Sequence, residues 1–176
     1  MRPLQPELAD RIRNDLRERP DAMLLELART HQVPELAILG LIGPPRAVPL
    51  DATRWPELME ALPALGSVRV LASNSGVTME TRGRFGGFSR TGDYFNVQTS
   101  TLDLHLRGSA IGGAMAVEKP SHQTGRPTAS VQLFDHEGAA ILKIFLLFGE
   151  DDGPEDLRRQ TFAALRAKFT AAVTSS

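Results

Sequence analysis

The chain has no cysteine, one tryptophan and one tyrosine in 176 residues, and no apolar run of membrane-spanning length. Without cysteine there are no disulfides, thiolate zinc sites, iron-sulfur clusters or cysteine nucleophile. Metal binding is left to histidine, carboxylate, tyrosine and methionine. With no spanning segment and no signal-type apolar stretch after Met1, the chain reads as soluble and cytoplasmic, with no membrane insertion. An excess of one charge is also lacking: 20 Lys+Arg against 21 Asp+Glu give a formal net charge of -1, so no nucleic-acid partner is expected. Gly-x-Ser-x-Gly and Walker fingerprints are absent. Gly83-x-x-Gly86-Gly87 lacks the strand-turn-helix setting of a dinucleotide loop.

A hydrophobic content of 41% is enough for a core without staples. The chain reads as one domain, 1–176, with a helical part over 1–66, an antiparallel sheet over 67–148 and a C-terminal helix over 153–173. Leu4, Leu8, Ile12 and Leu16 repeat at helical spacing up to Pro20. Asp21 caps a second helix through Leu24, Leu25, Leu27 and Ala28, and a third runs from Pro34 to Gly43. These three helices resemble a helix-turn-helix, but the third has no arginine, lysine, asparagine or glutamine to read bases, so it is expected to pack on the sheet. Asp51-Ala52-Thr53 starts a fourth helix that ends at Gly66.

From there the period changes to two. Strands are predicted at Ser67–Ser73, Val77–Gly83, Asp93–Gln98, Leu102–Arg107, Ile111–Lys119, Thr128–Phe134 and Ala139–Phe148. Asp135-His136-Glu137-Gly138 is a hairpin turn, and Pro120 to Pro127, with His122, reads as an exposed connection. After Asp151-Asp152 the last helix carries Phe162, Leu165, Phe169 and Val173 on one side.

The four histidines, at 31, 105, 122 and 136, show no spacing that makes a shared metal site. His31 sits at a helix end and His136 in a turn. His105 lies within Leu102-Asp103-Leu104-His105-Leu106-Arg107, whose alternation places His105 and Arg107 on one face. It reads either as a solvated polar-face histidine, the commoner case, or as a ligand. The loop Arg82 to Gly92 interleaves Arg82, Arg84 and Arg90 with Phe85 and Phe88, which suits anion recognition beside flat apolar surfaces, or a solvated glycine-rich loop.

Thr91-Gly92-Asp93-Tyr94-Phe95-Asn96-Val97, then Leu104-His105-Leu106-Arg107, then Ser130 to Leu146 and the Trp55 to Leu65 segment, resemble the bacterial haem-utilisation proteins. The likeness is to the short cytosolic haem carriers of the HutX/ChuX type and to one half of the duplicated HemS type. It implies an α+β fold: a helical N-terminal cap on a bent, split-barrel-like antiparallel sheet of about seven strands, with a C-terminal helix. It further implies reversibly bound b-type haem, homodimers, and a role in intracellular haem trafficking or storage, with a haem-degrading enzyme or an inner-membrane haem importer as partner. A haem-degrading or flavin-using split-barrel enzyme is the alternative.

The resemblance puts the axial iron ligand at His105, with Arg107, Arg82, Arg84 and Arg90 near the propionates and Phe85, Phe88 and Tyr94 beside the ring. Water, Tyr94, Met79 or Met115 would fill a second axial position. By the same resemblance, short carriers can carry a histidine where this chain has Ser73, and duplicated members one near the position of Thr78.

Overall fold

The computed structural model describes residues 3–74, 76–148 and 153–172. Val173 and the pair Asp151-Asp152 lie outside the described residues. Three helices come first, α1 (Pro6–Glu18), α2 (Leu24–His31) and α3 (Glu35–Ile42). Their apolar faces, built from Ile12, Leu24, Leu27, Ile38 and Leu39, close on one another and on Met115, Val117 and Phe134 of the sheet. Polar ties reinforce this: His31 Nε2 meets Asp15 at 2.7 Å, and the Leu36 amide donates to the Gly138 carbonyl at 3.1 Å.

The region read as wholly helical contains a strand, β1 (Ala47–Leu50). Four residues including Pro49 give no periodicity, so only pairing with a distant strand makes it one. As an edge strand it tolerates a proline. After a short 3-10 turn, capped by Asp51 accepting from the Thr53 amide at 3.0 Å, α4 (Trp55–Ala61) follows.

Eight more strands complete the sheets: β2 (Val68–Ser73), β3 (Thr78–Gly83), β4 (Phe88–Thr91), β5 (Tyr94–Gln98), β6 (Asp103–Arg107), β7 (Gly113–Pro120), β8 (Pro127–Phe134) and β9 (Ala140–Leu146). The expected seven strands are present and two more join them, β1 and β4. All neighbours pair antiparallel, and the sheet is not closed. One sheet has the order β1-β7-β8-β9-β2-β3, the other β4-β5-β6. Sequence read the segment holding β4 as loop, because its glycines mask the alternation. Gly87 explains the loop's path: its φ is +57°, and a Cβ there would lie 2.0 Å from the Gln98 carbonyl oxygen.

The two sheets enclose the main core with α4 and α5 (Glu155–Phe169). Val68, Val70, Val131, Leu133 and Ile144 come from the large sheet, Phe95, Val97 and Leu106 from the small one, and Phe162, Leu165 and Phe169 from α5. α5 also continues the edge: the Asp51 amide donates to the Phe169 carbonyl at 2.8 Å, and the Ala171 amide to the Pro49 carbonyl at 3.0 Å. Trp55 meets Phe95 edge-on at 5.6 Å, and Phe88 lies 5.3 Å from it. No helix among the described residues is long and apolar enough to cross a membrane.

Candidate functional site

Because side chains alternate across a strand, the large sheet has a second face. Val68 and Val70 of β2 enter the main core, so Arg69, Leu71 and Ser73 point the other way. The same parity puts Thr128, Ser130 and Gln132 of β8, Lys143 and Phe145 of β9, and Thr78 and Glu80 of β3 on that side. Register then sets rows across it: Arg69, Phe145 and Ser130 in one, and Leu71, Lys143 and Gln132 in the next. The helical cap covers the β1-β7 side of this face, leaving a cleft of about 320 Å³ over the rest. Met23, Leu24 and Leu25 at the start of α2 form one wall, and Ser121, His122 and Gln123 of the β7-β8 connection form another.

Lys119 ties those walls together. Its ammonium donates to the Asp21 carbonyl at 3.1 Å and to the Pro120 carbonyl at 2.8 Å. Burial lowers its pKa from the usual 10.5; Asp21 opposes the shift and Lys143 adds to it. Lys143 forms a buried ion pair with Glu35 of α3, which fastens the cap to the centre of the sheet. The guanidinium of Arg69 lies 5.4 Å from the Phe145 ring and 3.7 Å from Glu80. The lining is thus cationic, with Arg69, Lys119 and Lys143 against Glu80, although the chain as a whole is not. Two buried atoms on the floor, Arg69 Nε and Gln132 Oε1, have no hydrogen-bond partner.

A larger cavity of about 670 Å³ lies where α1 meets the end of α3. It is lined by Arg13, Arg17 and Arg46 over Leu16, Leu41 and Ile42, with Asp10 bonded to Arg13 and Asn14 to Arg17, and holds no histidine, methionine or tyrosine. That donor set can attract an anion but cannot ligate a soft metal.

The residues singled out by sequence are dispersed. His105, Arg107 and Tyr94 do share a face, the outer face of the small sheet, with Asn96 opposite His105 in register and Tyr94 opposite Arg107. The inner face of that sheet packs into the main core, so His105 and the cleft lie on opposite sides of the large sheet. The His105 side chain is 56% exposed, with Nδ1 2.8 Å from Asn96 Oδ1 and Nε2 3.5 Å from Asp103 Oδ1. Arg90 lies on the inner side of the same sheet, over the Phe95 ring at 5.5 Å and bonded to Glu60 at 3.1 Å. Arg84 sits in the β3-β4 connection, near Gly66.

Arg82 alone of that group shares the cleft's face, opposite Arg69 in register. Phe85 is buried in the core and Phe88 packs at a tilt against Phe95, so neither flanks His105. Met115 is buried beneath the helices. Met79 is exposed and, by parity, faces away from the cleft.

Sequence reading passed over His122, Met23, Lys119, Arg69, Gln132 and Lys143. A signal was present in one of them: Lys143 is the single polar residue in the apolar run Ala140–Leu146, the mark of a strand buried on both faces.

Residues 48–165 match the family described as haem utilisation ChuX/HutX. The chain belongs to this family. It is therefore a haem-utilisation protein, and the resemblance seen in sequence holds. No curated protein matches the chain. Solved structures share its fold. A protein from Erwinia carotovora is 20% identical with a TM-score of 0.80, the match covering 93% of this chain and 98% of that one. The haem-binding protein ChuX is 21% identical at TM-score 0.76, covering 92% and 97%. Holo-PhuS, a haem-binding protein from Pseudomonas aeruginosa, is 24% identical at TM-score 0.79; the match covers 95% of this chain and 46% of PhuS, so the chain spans about half of it. Ser73 and Thr78 both line the cleft on the large sheet.

Proposed function

We propose that the protein reversibly binds b-type haem in the cleft on the large sheet and serves in the cytoplasm as a carrier or store, without chemistry of its own. One observation carries this reading. The cleft gathers an imidazole, His122, cations at Arg69 and Lys119, and an apolar floor at Leu71 and Phe145, beside Ser73 and Thr78. A flat apolar disc with two carboxylates and an iron needs those three things together. His122 is the axial donor in this arrangement. It stands in the connection between β7 and β8, so ligation and release can accompany movement of that connection.

A second reading keeps the axial ligand at His105, with Arg107 and Tyr94 beside it. Its support is that His105 Nδ1 meets Asn96 Oδ1 at 2.8 Å, which orients the ring on an exposed face, with Nε2 3.5 Å from Asp103 Oδ1. Haemin titration followed at the Soret band separates the two. Loss of the saturable shift in His122→Ala, with His105→Ala unchanged, supports the cleft. The reverse pattern supports the small-sheet face, and no shift in the wild type rejects both.

Two copies are expected to pair, since β3 is an open edge strand that carries the exposed Met79. Sedimentation equilibrium would show a monomer if this is wrong. Handover to a haem-degrading enzyme, or receipt from an inner-membrane importer, follows from a carrier's role. Biliverdin formed by the purified protein with a reductant would instead make it the degrading enzyme itself.

A further inference from the structure

Outside the cleft, the cap carries a second concave surface, the cavity of about 670 Å³ between α1 and the end of α3. Asp10, Arg13, Asn14 and Arg17 follow one another at spacings of three and four residues, so they form one stripe along α1. Leu41 and Ile42 end α3 beside that stripe, and Arg46 follows the turn after it. The floor is apolar: Leu16, Leu41 and Ile42 are half-buried, packed on the cap core from one side and open to the groove on the other. The rim is cationic. Arg13 and Arg17 bond within α1, to Asp10 at 2.8 Å and to Asn14, and the Arg46 side chain has no polar partner among the described residues. Three guanidinium groups thus face one carboxylate, Asp10, in a chain whose net charge is -1.

The occupant has to use both features. A nucleic acid needs an unbroken cationic track, and exposed Glu7 and Glu18 interrupt the one on α1 at both ends. A membrane surface needs apolar side chains that protrude, whereas these lie below the arginines. An acidic amphipathic segment fits: its carboxylates meet guanidinium forks, while an apolar anchor fills the recess and excludes water. Arg13 can exchange partners cheaply, since its pair with Asp10 is exposed on both sides and contributes little. We propose that the groove between α1 and the end of α3 docks an acidic, amphipathic helix of a protein partner, with its carboxylates on Arg13, Arg17 and Arg46 and its apolar face on Leu16, Leu41 and Ile42. This surface is separate from the cleft, so the proposal stands whether or not haem is the cargo. It brings the partner close to the cargo nonetheless, because α2, the next helix of the cap, walls the cleft through Met23, Leu24 and Leu25.

The test follows backbone amide shifts of the full chain by nuclear magnetic resonance, without haem. The probe is a synthetic peptide of about five helical turns, with leucine at i, i+3, i+4 and i+7 spacing and glutamate elsewhere. Saturable shifts are expected at Arg13, Arg17, Leu41, Ile42 and Arg46, with affinity falling about tenfold from low to high salt. The same peptide with glutamine for glutamate should bind about tenfold more weakly or not at all. Arg17→Glu combined with Arg46→Glu changes two exposed positions and should weaken the glutamate peptide by a similar factor, while a lysine version of the peptide gains on the variant. Absence of saturable shifts at those residues with the glutamate peptide overturns the proposal, as does equal binding of the glutamine peptide. Vesicles of phosphatidylglycerol and phosphatidylcholine that shift the same amides would make the surface a membrane site, and inorganic phosphate that saturates them would make it a simple anion site; either overturns the helix. These arms use the wild type and decide the matter even if the variant fails to fold.

Discussion

Breaking the Glu35–Lys143 pair tests whether the helical cap is fastened to the sheet where the structure puts the fastening. The two side chains are 5% and 9% exposed, so water cannot take over from a missing partner. Glu35→Leu leaves an ammonium buried and unpaired. Removing one partner of a buried pair costs about 3–5 kcal/mol, and loss of a carboxylate from the first turn of α3 adds about 0.3–1 kcal/mol. With a urea slope of about 2 kcal/mol/M, the midpoint should fall by roughly 1.5–3 M. At about 2–4 °C per kcal/mol for a chain of this size, melting should fall by roughly 7–24 °C. Glu35→Leu combined with Lys143→Met removes both charges and should recover most of that loss, since an apolar pair of similar volume is often neutral or stabilising. Urea denaturation of the four proteins in the cycle is the assay. A cost below about 1 kcal/mol for Glu35→Leu, the size of a surface ion pair, would refute the placement of the pair in the interior. A double variant as unstable as the single one would refute the argument that the unpaired charge is the cause.

Other consequences can be measured in the same way. Phe95→Ala removes the ring shared by Trp55, Phe88 and Arg90, and should cost about 3–5 kcal/mol; the fluorescence of Trp55, the only tryptophan, should shift with it. Gly87→Ala forces a side chain into a left-handed backbone and against the Gln98 carbonyl, so about 2 kcal/mol or more should be lost in urea titrations. Burial lowers the pKa of Lys119, so between its folded value and 10.5 the unfolded chain binds more protons. Stability relative to Lys119→Met should therefore rise as pH increases through that window, and a flat difference would contradict the burial.

The helices and most strands were legible in sequence because each carries its own period and its own stops. Pro20, Pro34, the Gly43-Pro44-Pro45 break and Asp51 act locally, and a face made of Ile12 or Val131 has to be buried somewhere. The same local order carries the resemblance, which is why the family could be recognised along the chain. β1 and β4 were not legible, since four residues with a proline or with flanking glycines have no period of their own and become strands only when distant partners supply hydrogen bonds. The site depended on tertiary structure most of all. Alternation states that Asp103, His105 and Arg107 share a face, but not whether that face meets a cleft or solvent. Packing of the small sheet on the main core turned His105 outward, and placement of the helical cap over only part of the large sheet brought His122, Lys119 and Gln132 together from separated strands and loops. Sequence by itself determined which faces are apolar and which family the chain resembles; which polar face encloses a cleft was decided by how the two sheets and the cap pack, because enclosure requires at least two elements and no single strand encodes the second.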